Sequence, residues 1–170
     1  MISAAILIAL PLGLALAAFT DLLEMKIPNR IPAFLLACFV AVAPFSGLAW
    51  LDIGTSLVAG SIVFSVCFAL FAFNVMGGGD AKLLTAAAVW FGFNHSLLMF
   101  LVAVGYVGGA VTLLFLLLRS QANSVMAMGI PLPSSLVTAK KIPYGIAIAI
   151  GGFLTIEQAP IYSLAMKAFQ

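Results

Sequence analysis

Six apolar runs, at 2–20, 31–49, 54–74, 81–94, 96–118 and 143–159, take up most of this chain and leave its charged residues at their edges and in the connections between them. A helix crossing a bilayer needs about 20 mostly apolar residues, and all the runs but one come close to that length. The exception, 81–94, is short and reads as a tilted helix or one enclosed by others. The runs are continuously apolar rather than alternating. In lipid, where the backbone must satisfy its own hydrogen bonds, that pattern selects helices over a barrel. Composition agrees: 65% of the 170 residues are hydrophobic and 7% charged, against about 45–50% and about 25% in soluble domains. Such a chain has too little charge to cover a water-facing surface. Its basic residues are scattered, which excludes a phosphate-tracking nucleic-acid binder. The expectation is an all-α, polytopic membrane bundle of about six transmembrane helices, one domain over 1–170 with no separate soluble part. The one long polar connection, 119–142, carries Pro131 and Pro133.

Orientation follows from the loops that hold Lys and Arg. Lys26, Arg30, Lys82, Arg119, Lys140 and Lys141 fall on one side and only Lys167 on the other. The basic side is read as cytoplasmic, which puts the amino terminus outside and Asp52, Asn94 and His95 on the outer face. No positive residue precedes the first run, which argues against a cleaved signal segment. Cys38 and Cys67 sit in apolar runs without CxxC spacing or a neighbouring His. They read as small hydrophobes, with no metal site.

Charge near hydrocarbon is expensive, so each of the five acids calls for a reason. Asp52 reads as a solvated or helix-capping acid in an outer turn, Glu157 as interfacial, and Glu24 as facing cytoplasmic water. Asp21 and Asp80 differ. Asp21 directly follows the first run. Asp80 follows Met76-Gly77-Gly78-Gly79 and opens the fourth. On the expected topology both lie at the cytoplasmic edge at similar depth. Two carboxyls close together in a poorly solvated site cannot both ionise cheaply and share one proton. The charged one takes a proton from water and the neutral one donates to the leaving amine, which needs neither metal nor nucleophilic Ser. The glycines before Asp80 would permit positive φ and close backbone approach. The plainer reading makes Asp80 the N-cap of the next helix and Asp21 a boundary charge.

The segment Gly77-Gly78-Gly79-Asp80-Ala81-Lys82 matches a GxGDxK motif through Gly77, Gly79, Asp80 and Lys82, and Asp21 to Asn29 matches a D-x6-P-N box. Both resemble the type IV prepilin peptidases, which are GxGD intramembrane aspartic proteases. Pro143-Tyr144-Gly145 is similar to the opening of that family's late helix, with Ile146 where longer members commonly have Pro. The resemblance implies an aspartic endopeptidase, without cofactor, that removes the short basic leader of a pilin or pseudopilin precursor. It makes Asp21 and Asp80 the catalytic pair and Gly77 and Gly79 the backbone framing Asp80. Lys82 either biases the nearby carboxyl or anchors the helix end at lipid headgroups. The chain resembles the short CpaA/TadV-like form of Flp/Tad-type pilus systems. It lacks the cysteine-bearing domain of the long members, which gives N-methyltransferase activity no support. The implied setting is the cytoplasmic (inner) membrane of a prokaryote.

Other readings remain open at this level. A small transporter or ion channel would also place acids and broken helices in a membrane. A structural subunit of a secretion assembly would pair the acids with Lys26 or Lys82. A related GxGD protease would act on preflagellin-like substrates. Gly105-x-x-x-Gly109 is read as packing the protein's own bundle, and Trp90, Phe91 and Phe93 as belt and packing residues. Pro28-Asn29 is read as a turn launching the second helix.

Overall fold

The computed structural model describes residues 2–120 and 142–168, and among these all regular structure is helical. The order is α1 (Ile2–Glu24), α2 (Arg30–Val42) with a 3-10 turn at Ala43–Phe45, α3 (Trp50–Ala72), α4 (Gly78–Phe91), α5 (His95–Ser120), α6 (Tyr144–Thr155) with a 3-10 turn at Ile156–Gln158, and α7 (Pro160–Lys167). These bounds follow the six apolar runs closely and add α7, which bends away from α6 by 54°. The protein is a helical membrane bundle. Among the described residues three helices, α1, α3 and α5, are long and apolar enough to cross a bilayer, and α6 with α7 passes the same test only as one bent pair. Helices α2 and α4 are shorter. Most of the expected polar connection 119–142 lies outside the described residues, with Pro131, Pro133, Lys140 and Lys141.

The core is built around α4 and α6. Leu83, Leu84 and every residue from Ala86 to Phe91 are buried on α4. A helix apolar on every side belongs inside a bundle, and α4 is the enclosed alternative expected for 81–94. It packs between α2, α3 and α6, while α6 also packs between α1 and α5. Ser56, Ala59, Gly60, Val63 and Cys67 form the buried face of α3. Gly60 brings α3 against Val89 of α4. Small residues set how near two helices come when lipid is as apolar as the core. Beside that face, Phe64, Phe68 and Phe71 are exposed.

Side-chain polar atoms that enter this core are satisfied. Trp90 Nε1 donates to the Leu35 carbonyl of α2 at 3.2 Å, and its ring meets Phe39 edge-on at 5.7 Å. Phe91 stacks on Phe100 of α5 at 4.3 Å. These two aromatics are packing residues, whereas Phe93 is exposed. Gly105 and Gly109 do not pack against the described helices: both are exposed, and no described residue lies within 4 Å of where a Cβ would stand. Gly108 is the α5 glycine that meets a described neighbour, the ring of Tyr144. With lipid and core equally apolar, spacing alone does not say which stripe of such a helix faces inward.

Candidate active site

The structure separates the five acids as the sequence suggests. Glu24, Asp52 and Glu157 are exposed. Asp21 is buried at 5% exposure, and Asp80 is half-buried. A buried carboxylate needs a hydrogen-bond donor close at hand. For Asp21 that donor comes from far along the chain: the Gly145 backbone N–H donates to Asp21 Oδ2 at 2.7 Å. Gly145 lies in the first turn of α6, where N–H groups have no partner within their own helix. Asp21, one turn before the end of α1, thus satisfies a donor that α6 leaves open.

The contact leaves no room for a side chain on Gly145. A Cβ there would stand 2.8 Å from Asp21 Oδ2 and 2.9 Å from Ile27 Cδ1. Asp80 has a matching neighbour. A Cβ on Gly77 would stand 2.6 Å from Asp80 Oδ2. Each acid is therefore seated against a glycine, one supplied by a distant helix and the other by its own motif.

Local geometry corrects two expectations about this motif. Gly77, not Asp80, is the N-cap of α4, and it is extended with φ −70° and ψ 141°. Gly77, Gly78 and Gly79 are not among the residues with positive φ, which among the described residues are Gly47, Gly92, Met25 and Asn74. The motif glycines serve close approach rather than left-handed backbone. Asp80 occupies the first turn of α4, where the unpaired N–H groups of a helix start favour a carboxylate.

The chain between α1 and α2 closes over this turn. Met25 takes φ 52° and ends α1, its N–H donating to the Asp21 carbonyl at 3.0 Å. The reversal sends Ile27 inward, where it is 8% exposed. Ile27 wedges between the two sites: its Cβ lies 3.2 Å from the position of a Cβ on Gly79, and its Cδ1 faces Gly145. Beyond it, Lys82 Nζ donates to Asn29 Oδ1 at 2.9 Å. This partner was not anticipated for Lys82, nor was any role for Asn29 beyond its turn.

Asp21 and Asp80 line one cavity of about 430 Å³, together with Glu24 to Asn29, Gly77 to Gly79 and Ile142. The structure thus brings together the predicted residues Asp21, Asp80, Gly77 and Gly79, and sets Lys82 at the edge on Asn29. Sequence reasoning missed Gly145 and Ile27 as parts of the site. The Pro143-Tyr144-Gly145 resemblance pointed to the first of these without giving its partner. A second, smaller cavity of about 180 Å³ lies at the other end of α4, lined by Asp52, Ser56, Trp90 and Asn94 among others.

The model of the type IV leader peptidase family matches residues 8–114. The chain belongs to that family. The match spans both acid boxes and α1 through most of α5, while Gly145 lies beyond it. No curated protein and no solved structure matches the chain. Family membership identifies a peptidase-type membrane protein with several apolar helices, and the cavity shared by Asp21 and Asp80 is its candidate active site.

Proposed function

We propose that this protein is an intramembrane aspartic endopeptidase that removes the short basic leader of a pilin or pseudopilin precursor. The observation that carries the reading is that the acids of two separate family boxes, Asp21 and Asp80, line a single cavity. One carboxylate takes a proton from a water molecule as that water attacks the scissile carbonyl. The other, protonated, gives its proton to the leaving amine, so the pair ends with its protonation reversed. No covalent intermediate is needed. The Gly145 N–H holds one oxygen of Asp21 and leaves its second for chemistry.

In this reading the amino terminus lies outside, and the acids act at the cytoplasmic face of a prokaryotic inner membrane. The basic loop residues Lys26, Arg30 and Lys82 support that orientation. The precursor enters from the bilayer, its leader in the cytoplasm and its apolar helix beside the bundle.

The test is co-expression of a pilin precursor with wild-type protein, Asp21→Asn or Asp80→Asn, with leader removal followed by mass. An amide matches the shape of the carboxyl but cannot exchange protons as it does. Both variants are expected to leave the precursor uncut while still inserting in the membrane. Normal leader removal by either one contradicts the assignment.

A further inference from the structure

The family-box residues Lys82 and Asn29 meet each other, and neither does what its position alone suggests. Lys82 lies two residues after Asp80 on α4, a spacing that turns it about 200° around the helix axis, away from the Asp80 face. Its ammonium reaches across to Asn29, 53 residues away in the chain, at 2.9 Å. Asn29 stands at the N-cap of α2, where Asn commonly accepts a hydrogen bond from its own helix. Here it makes no side-chain cap bond; its amide oxygen accepts from Lys82 instead. A capping interaction has been replaced by one between elements.

The consequence lies in what the bond ties together. Asn29 ends the loop that leaves α1 just after the turn holding Asp21, and Lys82 follows Asp80 on the first turns of α4. Between them, Ile27 packs against the backbone of Gly79, its carbonyl oxygen 3.5 Å from where a Cβ would be. Gly79 admits the loop, Ile27 fills the gap, and the Lys82–Asn29 bond closes the outer edge. We infer that Lys82 and Asn29 are positioning residues which latch the Asp21 loop onto the start of α4 and so set the two carboxyls in register. The inference rests on the aspartic-protease reading of Asp21 and Asp80.

A latch and a headgroup anchor make different demands. An anchor needs only the charge of Lys82 and is indifferent to Asn29. A latch needs both partners and makes the second loss redundant once the first has occurred. Misplacement of catalytic groups by a fraction of an ångström to an ångström lowers turnover far more than it weakens binding.

The experiment uses the full chain in proteoliposomes with an internally quenched synthetic peptide that carries a basic leader, a glycine at the cut and the first turns of an apolar helix. The variants are Lys82→Met, Asn29→Leu, the double variant, Lys82→Arg and Asn29→Asp, with Asp21→Asn and Asp80→Asn as controls. Each latch-breaking single variant is expected to lower kcat about tenfold with KM held within about twofold, and the double variant to be no slower than the slower single. Lys82→Arg and Asn29→Asp, which keep a donor facing an acceptor, are expected to stay within about threefold of wild type. Backbone amide exchange in residues 25–29 is expected to quicken in both latch-breaking variants, a readout independent of turnover. Wild-type kcat in Asn29→Leu, or losses from Lys82→Met and Asn29→Leu that multiply in the double variant, overturns the latch while inactive aspartate variants leave the protease reading standing. Retained cleavage by either Asp→Asn control overturns the protease reading and the latch with it.

Discussion

The two aspartates are held in opposite ways. Asp80 has its glycine seat close by in sequence: Gly77 and the first turn of α4 both belong to its own motif. Asp21 is framed at long range, buried at the end of α1 and fixed by the N–H of Gly145, 124 residues further along. The comparison teaches that the glycine seat of Asp80 forms with a single turn of helix, while that of Asp21 exists only once α1 and α6 have packed. Disturbing α6 therefore strikes Asp21 first and disturbing Gly77 strikes Asp80 first, with Ile27 able to carry part of either change across.

The largest effect is expected at Gly145. Valine there would drive its Cβ into Asp21 and Ile27 together, and the backbone bond to the carboxylate would be lost as the side chains part. Cleavage should fall by about a hundredfold or more, measured as kcat/KM on the reconstituted protein. A smaller loss is expected from Gly77→Ala. Its φ and ψ suit alanine, and among the described residues the atoms near the new methyl belong to the Asp80 carboxylate. The carboxylate is displaced while the fold is kept: about a tenfold fall in kcat with an unchanged melting temperature. Equal losses in both properties would break the claim that this half of the site is local.

Ile27 links the halves, and its truncation should show in both. Ile27→Ala removes buried methyl groups from the wedge between Gly79 and Gly145, and a loss of about 2 kcal/mol or more is expected from denaturation in detergent. Activity should fall with it, because both seats widen. The smallest change is expected at Met25, whose left-handed φ of 52° is unusual for a residue with a side chain. Met25→Gly relieves that strain but adds freedom to the unfolded chain. Stability should move by less than about 1 kcal/mol, and cleavage should be retained.

Much of this was legible in the sequence because it is written locally. The apolar runs marked the helices, the short run offered an enclosed helix as one of two readings, and position at the run ends set Asp21 and Asp80 apart among the acids. What was not legible depends on packing. The bond between Gly145 and Asp21, the meeting of Lys82 with Asn29, and the wedge of Ile27 join residues far apart in the chain. No spacing rule reports such pairs. Gly77 to Gly79 were read as permitting both positive φ and close approach; the first is not used, and the close seating of Asp80 and Ile27 is what needs the missing Cβ. Gly105 and Gly109 misled for the reverse reason: a close-packing motif on a uniformly apolar helix does not reveal which side its neighbours occupy.

Everything functional here depends on the two carboxyls working as one unit across these unlike frames. The direct measurement is the cleavage rate of Asp21→Asn, Asp80→Asn and the double variant on one peptide under one set of conditions. If they act together, each single variant loses nearly all turnover and the double variant loses no more, since half of a proton-sharing pair has no partner to work with. Substantial turnover in a single variant, or single losses that multiply in the double, would mean that the acids act separately and that the shared cavity is not a dyad.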